Sequence, residues 1–173
     1  YLNLYHKKHP LRRGAPKEEL RSRLGMQISL FTNVLKKLCD ADIVSDDGSL
    51  IRAFEYEPKL SEVERSIGMA YIEVLENTPY SPPTDYPIDP DLLGVLIFEG
   101  KVVKVSDNVV FTSSAFIDMT DKIKLWLKEN GEITVADVRD MFGTSRKYAL
   151  ALMDYLDHER ITRRVGDSRV LRS

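Results

Sequence analysis

The chain has 173 residues, of which 43% are hydrophobic and 30% charged, and its formal net charge is −2. This composition is typical of a soluble globular protein, and the length allows one ordinary domain or two to three very small ones. No apolar run approaches the roughly 18 residues that a bilayer-spanning helix needs, so the sequence predicts no membrane partner. The single cysteine, Cys39, excludes an internal disulfide and fits a cytoplasmic location.

The first third of the chain, residues 1–57, has a net charge of +2 and reads as helices followed by a hairpin. Pro10 and Gly14 break the first helical pattern, and Pro16 suits the start of the second. A turn at Gly48 separates two short strand patterns. The predicted elements are helices 1–8, 17–24 and 28–39 and strands 43–45 and 50–52.

The middle third, residues 58–112, is acidic, with a net charge of −5. Residues 77–90 hold five of the eight prolines and cannot form a normal helix, so the second helix of this block is expected to be short or missing. The other predicted elements are helices 61–76 and 91–99 and strands 102–105 and 109–111.

The last third, residues 113–173, has a net charge of +1. Its first helix, 115–129, should end at Gly131 and should place Trp126 in the core. Thr134 begins a capping-box pattern for a second helix, with Asp137 in place of the preferred glutamate. The apolar residues of the final helix share one face, and strands 161–165 and 169–171 flank a Gly166-Asp167 turn; that face carries Ala149, Leu152, Met153 and Leu156.

A step of 118 residues relates the first and last thirds, because each core position of the final helix and hairpin falls on an apolar residue and Gly166 falls on Gly48. Half that step finds a poorer copy in the middle. A helix leading directly into a hairpin is the second half of a winged helix. We therefore predict an α+β, mostly α, tandem array of three winged-helix modules: residues 1–57, a degenerate and acidic module at 58–112, and a third module at 113–173, to which the candidate nucleic-acid contacts below belong.

Basic residues concentrate at the end of the chain, where residues 144–173 carry a net charge of +3. Ser145, Arg146 and Lys147 open the final helix, whose free N–H groups favour an anion. The alternative is that Ser145 is only an N-cap and the two cations face solvent. Charge alone adds Arg169 and Arg172 as candidates for contact with a phosphate backbone.

Signatures of an enzyme or of a metal site are missing from the sequence. It has no phosphate-binding loop, one cysteine, and three histidines that lie near no other ligand types, of which His6 and His9 are expected at the surface. We expect no catalytic residue, no metal site and no cofactor in this chain.

The identity of the nucleic acid is suggested by Asp154 and Asp157, which lie with His158 on the outer face of the final helix. These carboxylates would be repelled by phosphates if the helix lay along a DNA major groove, whereas RNA is contacted by a helix tip and a wing. Two alternatives remain: a DNA-binding regulator and a protein-binding winged-helix array. No dimerisation helix is evident, so a monomer is expected.

Two motifs carry a resemblance to a known family. His9-Pro-Leu-Arg-Arg-Gly14, followed by residues 17–24, resembles the winged-helix region of the bacterial selenocysteine-specific translation elongation factor. Residues 144–150 with 162–171 resemble the final winged helix of that family. The middle module matches only in architecture, since its proline-rich run departs from a regular winged helix.

The resemblance implies four tandem winged helices after a GTPase core, of which this chain would hold the last three. The chain also lacks an initiator methionine, so we expect it to be part of a longer protein. The terminal winged helix would bind the selenocysteine insertion hairpin of an mRNA just past an in-frame UGA, while GTP, magnesium, selenocysteinyl-tRNA and the ribosome would engage the full-length factor. By position, the matching RNA-contact candidates are Ser145, Arg146, Lys147, Arg163, Arg164 and Gly166.

Overall fold

The computed structural model describes residues 1–172. Their contacts form two compact units: residues 1–65 with 89–95, and residues 66–88 with 96 onward. The boundaries of the three modules predicted from the sequence differ from the boundaries of these two units, and the module boundaries stay a prediction. Each unit is described by itself below.

The first unit contains a complete helix–helix–helix–hairpin module. Its strands form one antiparallel sheet in the order β1-β3-β2, in which Ala15 pairs with Ile51 and Val44 pairs with Ala53. The core lies between α2, α3 and this sheet and centres on Phe31 and the fully buried Ile51. The elements are α1 (Leu2–Lys8), β1 (Ala15–Pro16), α2 (Lys17–Arg23), α3 (Ile28–Asp40), β2 (Val44–Asp46) and β3 (Leu50–Ala53).

The middle of the chain has two helices, α4 (Glu62–Asn77) and α5 (Pro90–Phe98), and a hairpin of β4 (Val102–Ser106) and β5 (Val109–Thr112). Residues 78–89, between the two helices, form neither helix nor strand, as the prolines predicted. Each helix passes from one unit to the other. The hairpin belongs to the second unit, where Val105, Val109 and Phe111 join the same core as the last three helices.

The second unit also contains the last winged helix. Its sheet has the order β6-β8-β7, and its core includes the four residues predicted for the buried face of the final helix. The Thr134–Asp137 capping box is present as predicted. The elements are α6 (Ser113–Asn130), β6 (Ile133–Thr134), α7 (Val135–Phe142), α8 (Arg146–His158), β7 (Thr162–Val165) and β8 (Ser168–Leu171).

The 118-residue repeat holds for whole elements. Adding 118 to both ends of α3 gives α8, and the same step carries β1 onto β6 and β3 onto β8. Backbone conformations follow it too, since the wing glycines Gly48 and Gly166 have φ of 95° and 62°, and Asp42 and Arg160 have φ of 52° and 60°. The first and last modules are therefore copies of one winged-helix fold, and the predicted fold class is confirmed.

Two expectations about single residues are wrong. Trp126 is 36% exposed rather than core, because its Nε1–H donates to the carbonyl of Glu132 and this holds the ring at the edge of the module. His6 is only 6% exposed, since its ring stacks on Tyr56 at 3.5 Å and its Nε2 accepts from the N–H of Ala53. Burial, with the nearby charge of Arg52, lowers the pKa of His6 below 6.5 and favours the neutral ring.

Candidate nucleic-acid interface

The start of α8 is a sharp turn with an open end. Gly143 ends α7 in the left-handed conformation at φ 58°, and Ser145 then takes the N-cap position in extended backbone. Although Ser145 occupies the N-cap position, its hydroxyl makes no capping bond, so this hydroxyl is available to another partner. Ser145, Arg146 and Lys147 are all exposed. This end of the helix thus offers a hydroxyl and two cations to solvent.

A segment of the proline-rich run lies against this helix start. We call residues 80–84 the strap. The hydroxyl of Thr144 donates to the carbonyl of Tyr80 at 2.5 Å, and the hydroxyl of Tyr148 donates to the carbonyl of Pro82 at 2.7 Å. The ring of Tyr80 also contacts that of Phe142, with 5.2 Å between centroids. The strap is therefore fixed to the turn before α8 and to the first turn of α8.

The cations of the wing, the hairpin of β7 and β8, are mostly exposed. Arg163 and Arg164 both face solvent, although one of the two could have covered the core. Arg163 is paired with Val170 and Arg164 with Arg169, so the two arginines leave opposite faces of the hairpin. Arg164 donates from Nε to the carbonyl of Gly166 and lies 3.8 Å from Asp167, which holds it near the wing tip. Arg172 is exposed just after β8.

Arg169 is not available as a free cation, and its prediction as a nucleic-acid contact is wrong in this respect. Its side chain is 3% exposed and forms ion pairs with Asp154 at 2.7 Å and with Asp157 at 3.1 Å. Asp157 also accepts from the hydroxyl of Thr162. The guanidinium is buried because β8 must face α8 at this position, and two carboxylates compensate its charge.

The same ion pairs weaken the charge argument against DNA. Asp154 and Asp157 were expected to present bare carboxylates on the outer face of α8, but they share Arg169, whose single positive charge offsets one of their two negative charges. Repulsion between this face and a phosphate backbone is correspondingly reduced.

The site thus separates into two sets of exposed groups. One is the helix start, with Ser145, Arg146 and Lys147, and the other is the wing end, with Arg163, Arg164, Gly166 and Arg172. Within residues 1–172, Arg146, Lys147, Arg163 and Arg172 have no carboxylate at ion-pair distance. Their positive charges are free to attract an anionic polymer.

Other kinds of site are not evident in the part of the chain that the structure describes. No group of three or more His, Cys, Asp or Glu side chains in residues 1–172 is arranged to hold a metal ion. Over the same residues, every helix is too short or too polar to traverse a bilayer.

The architecture defines the chain as an array of winged-helix modules, and comparisons with known proteins give the family. Two models described as "Elongation factor SelB, winged helix" match residues 1–52 and 125–171, which together make up more than half of the chain. The selenocysteine-specific elongation factor of Desulfomicrobium baculatum is 25% identical over 184 aligned residues, covering 99% of this chain and 29% of the relative. The chain belongs to the SelB elongation factor family, as part of its winged-helix region.

Solved structures agree with this fold. The mRNA-binding domain of SelB from E. coli, determined in complex with SECIS RNA, matches with a TM-score of 0.52 and 20% identity, covering 66% of this chain and all of that domain. A bacterial selenocysteine-specific elongation factor matches with a TM-score of 0.51 and 18% identity, covering 92% of this chain and 26% of the other. The chain thus spans less than a third of the length of the full factors that it resembles.

Proposed function

We propose that this chain is the mRNA-binding part of a selenocysteine-specific elongation factor, and that its last winged helix binds the selenocysteine insertion hairpin. The observation that carries this is the set of exposed, mostly unpaired cations on the module that matches the third SelB winged-helix model. The structure of the E. coli relative with the same fold was determined in complex with SECIS RNA, which supports RNA over DNA as the ligand of this chain.

The two sets of exposed groups suit a folded RNA. The major groove of A-form RNA is too narrow for a helix, so a helix start and a wing would contact the backbone and the loop instead. Arg146 and Lys147 would meet phosphates where the α8 dipole also favours negative charge. Arg163 and Arg164 leave opposite faces of the wing, so one of them would contact the same RNA surface as the helix start.

The remaining activities belong to the full-length factor. We propose that GTP and magnesium are bound outside this chain, and that the whole factor delivers selenocysteinyl-tRNA to the ribosome at UGA in the cytoplasm. In that arrangement the present chain performs no catalysis itself. It would act as a monomer that recruits the factor to the correct codon.

A competition assay tests the proposal. A labelled RNA hairpin, taken from just after the in-frame UGA of a selenoprotein mRNA of the source organism, is bound at moderate salt. It is then challenged with unlabelled hairpin, with a hairpin of scrambled loop sequence and with a DNA duplex. We expect the native hairpin to compete at least about tenfold better than the other two, as specific sites do. Equal competition by the duplex would instead favour a DNA-binding protein, and no binding at all a protein-binding array.

A further inference from the structure

Lys147, in the first turn of α8, forms a hydrogen bond to the strap. Its Nζ donates to the hydroxyl oxygen of Thr84 at 3.0 Å and lies 5.6 Å from the centre of the Tyr148 ring. Thr84 comes from the acidic middle module as it was drawn from the sequence, 63 residues before Lys147. The net charge of −5 on that module would by itself disfavour contact with a phosphate backbone.

The hydrogen-bond partner of Lys147 is neutral, and this distinguishes Lys147 from the restrained arginines Arg164 and Arg169. Arg169 is held by two carboxylates, whose negative charge exceeds its own positive charge, and Arg164 lies near Asp167. A hydroxyl fixes the direction of an ammonium group but leaves its charge uncompensated. Lysine side chains lose about 2 kcal/mol of rotamer entropy when they are immobilised, so a lysine that is already directed binds a phosphate at lower cost.

The strap is itself held firmly enough to direct a side chain. Thr144 has one hydroxyl proton and gives it to the carbonyl of Tyr80, so the contact at 2.9 Å between Thr144 and Ser81 has Ser81 as its donor. The hydroxyl of Tyr80 donates to Asp118 on α6 at 2.6 Å. Pro82 is buried, and its carbonyl accepts from Tyr148. Two consecutive prolines, Pro82 and Pro83, stiffen the backbone just before Thr84.

We propose that Thr84 is a positioning residue for RNA binding, which holds the ammonium group of Lys147 in a fixed direction at the start of α8. The proposal rests on the proposed function, since it assigns Lys147 to a phosphate contact. It also gives the proline-rich run a role: the run replaces a regular second helix with a rigid strap that reaches the binding end of the next module.

The test compares Thr84→Val, which keeps the shape and removes the hydroxyl, with Thr84→Ser, which keeps the hydroxyl. Each is made in the native chain and in Lys147→Ala, and hairpin affinity is measured over a range of salt concentrations. We expect Thr84→Val to weaken binding about threefold, the size of a lost exposed hydrogen bond. Its salt slope should stay native, because Lys147 still neutralises its phosphate, whereas Lys147→Ala should lower the slope by about 0.7 to 0.9. Thr84→Ser should bind as the native chain does.

The double variant separates positioning from a general structural role. If Thr84 acts through Lys147, Thr84→Val should have no further effect once Lys147 is alanine, and thermal unfolding should be unchanged. Equal weakening in both backgrounds, or tighter binding by Thr84→Val, would overturn the positioning role while leaving the proposed function in place. Failure of the native chain to bind the hairpin would overturn both.

Discussion

Among single residues, Gly14 shows how closely the backbones approach in the first module. A Cβ at this position would lie 2.8 Å from the carbonyl oxygen of Ile51, in the middle of strand β3. Neither backbone segment can move away from the other, because Ala15 of β1 pairs with Ile51 of β3 in the sheet. Glycine is therefore required for steric reasons at the third position of the Arg-Arg-Gly motif, which carried part of the family resemblance.

We predict that Gly14→Ala lowers the free energy of unfolding by about 2 kcal/mol, the usual cost of a forced backbone shift. Gly94→Ala is the matched control, since it lies inside α5 and an added Cβ meets nothing within 4 Å. That change should be neutral or stabilise the chain by up to about 1 kcal/mol through helix propensity. Denaturant titration of both variants measures the difference, and a Gly14→Ala chain of native stability would contradict the argument.

Among the elements, α7 and α8 begin in contrasting ways although they are consecutive. Thr134 caps α7 by accepting from the N–H of Asp137, and Asp137 accepts in return from the N–H of Thr134 at 2.8 Å. Ser145 occupies the same position on α8 and makes no such bond. The N-terminus of α7 is therefore capped by a side chain, whereas the N-terminus of α8 has no side-chain cap.

We predict that Thr134→Ala lowers the free energy of unfolding by about 1 kcal/mol, the typical value of a lost N-cap. Ser145→Ala should cost much less, because no capping bond is lost. Thermal unfolding of the two variants side by side measures this. A large loss on Ser145→Ala would mean that its hydroxyl caps α8 in solution, and would argue against Ser145 as one of the proposed RNA contacts.

The sequence was sufficient for elements whose signals are local. Apolar spacing located α3 and α8, glycines located the wing turns, and Thr134 with Asp137 located the capping box. It failed for contacts between distant residues: nothing near Thr84 indicates that it meets Lys147. Arg169 is an instructive case, because the 118-residue step places it on Ile51, which is fully buried. The repeat therefore indicated that Arg169 would be buried, whereas its charge suggested an exposed contact residue.

For the whole molecule, the charge arrangement limits how RNA binding can depend on salt. Five exposed cations are candidates, so contact by all five would give a slope of log affinity against log salt of about 3.5 to 4.5 in magnitude. We predict that Arg146→Ala with Arg164→Ala weakens hairpin binding and lowers this slope by about 1.4 to 1.8. The candidates are Arg146, Lys147, Arg163, Arg164 and Arg172.

The control for this prediction lies in the first module. Arg23 is exposed on α2 and pairs only loosely with Glu19, at 3.7 Å. Arg23→Ala removes an equal charge and should leave both affinity and slope near native values. If it lowers the slope as much as either arginine of the last module, binding is spread over the array, and the assignment of the site to residues 144–172 is wrong.

The identical spacing of the first and last modules means that one backbone scaffold carries two different surfaces in the same chain. The positions of Arg146, Lys147, Arg163 and Arg164 are held in the first copy by Ile28, Ser29, Ser45 and Asp46. The scaffold accommodates both sets because none of the four positions is buried in either module. The same backbone can therefore present a strongly basic or a nearly neutral face without a change of fold.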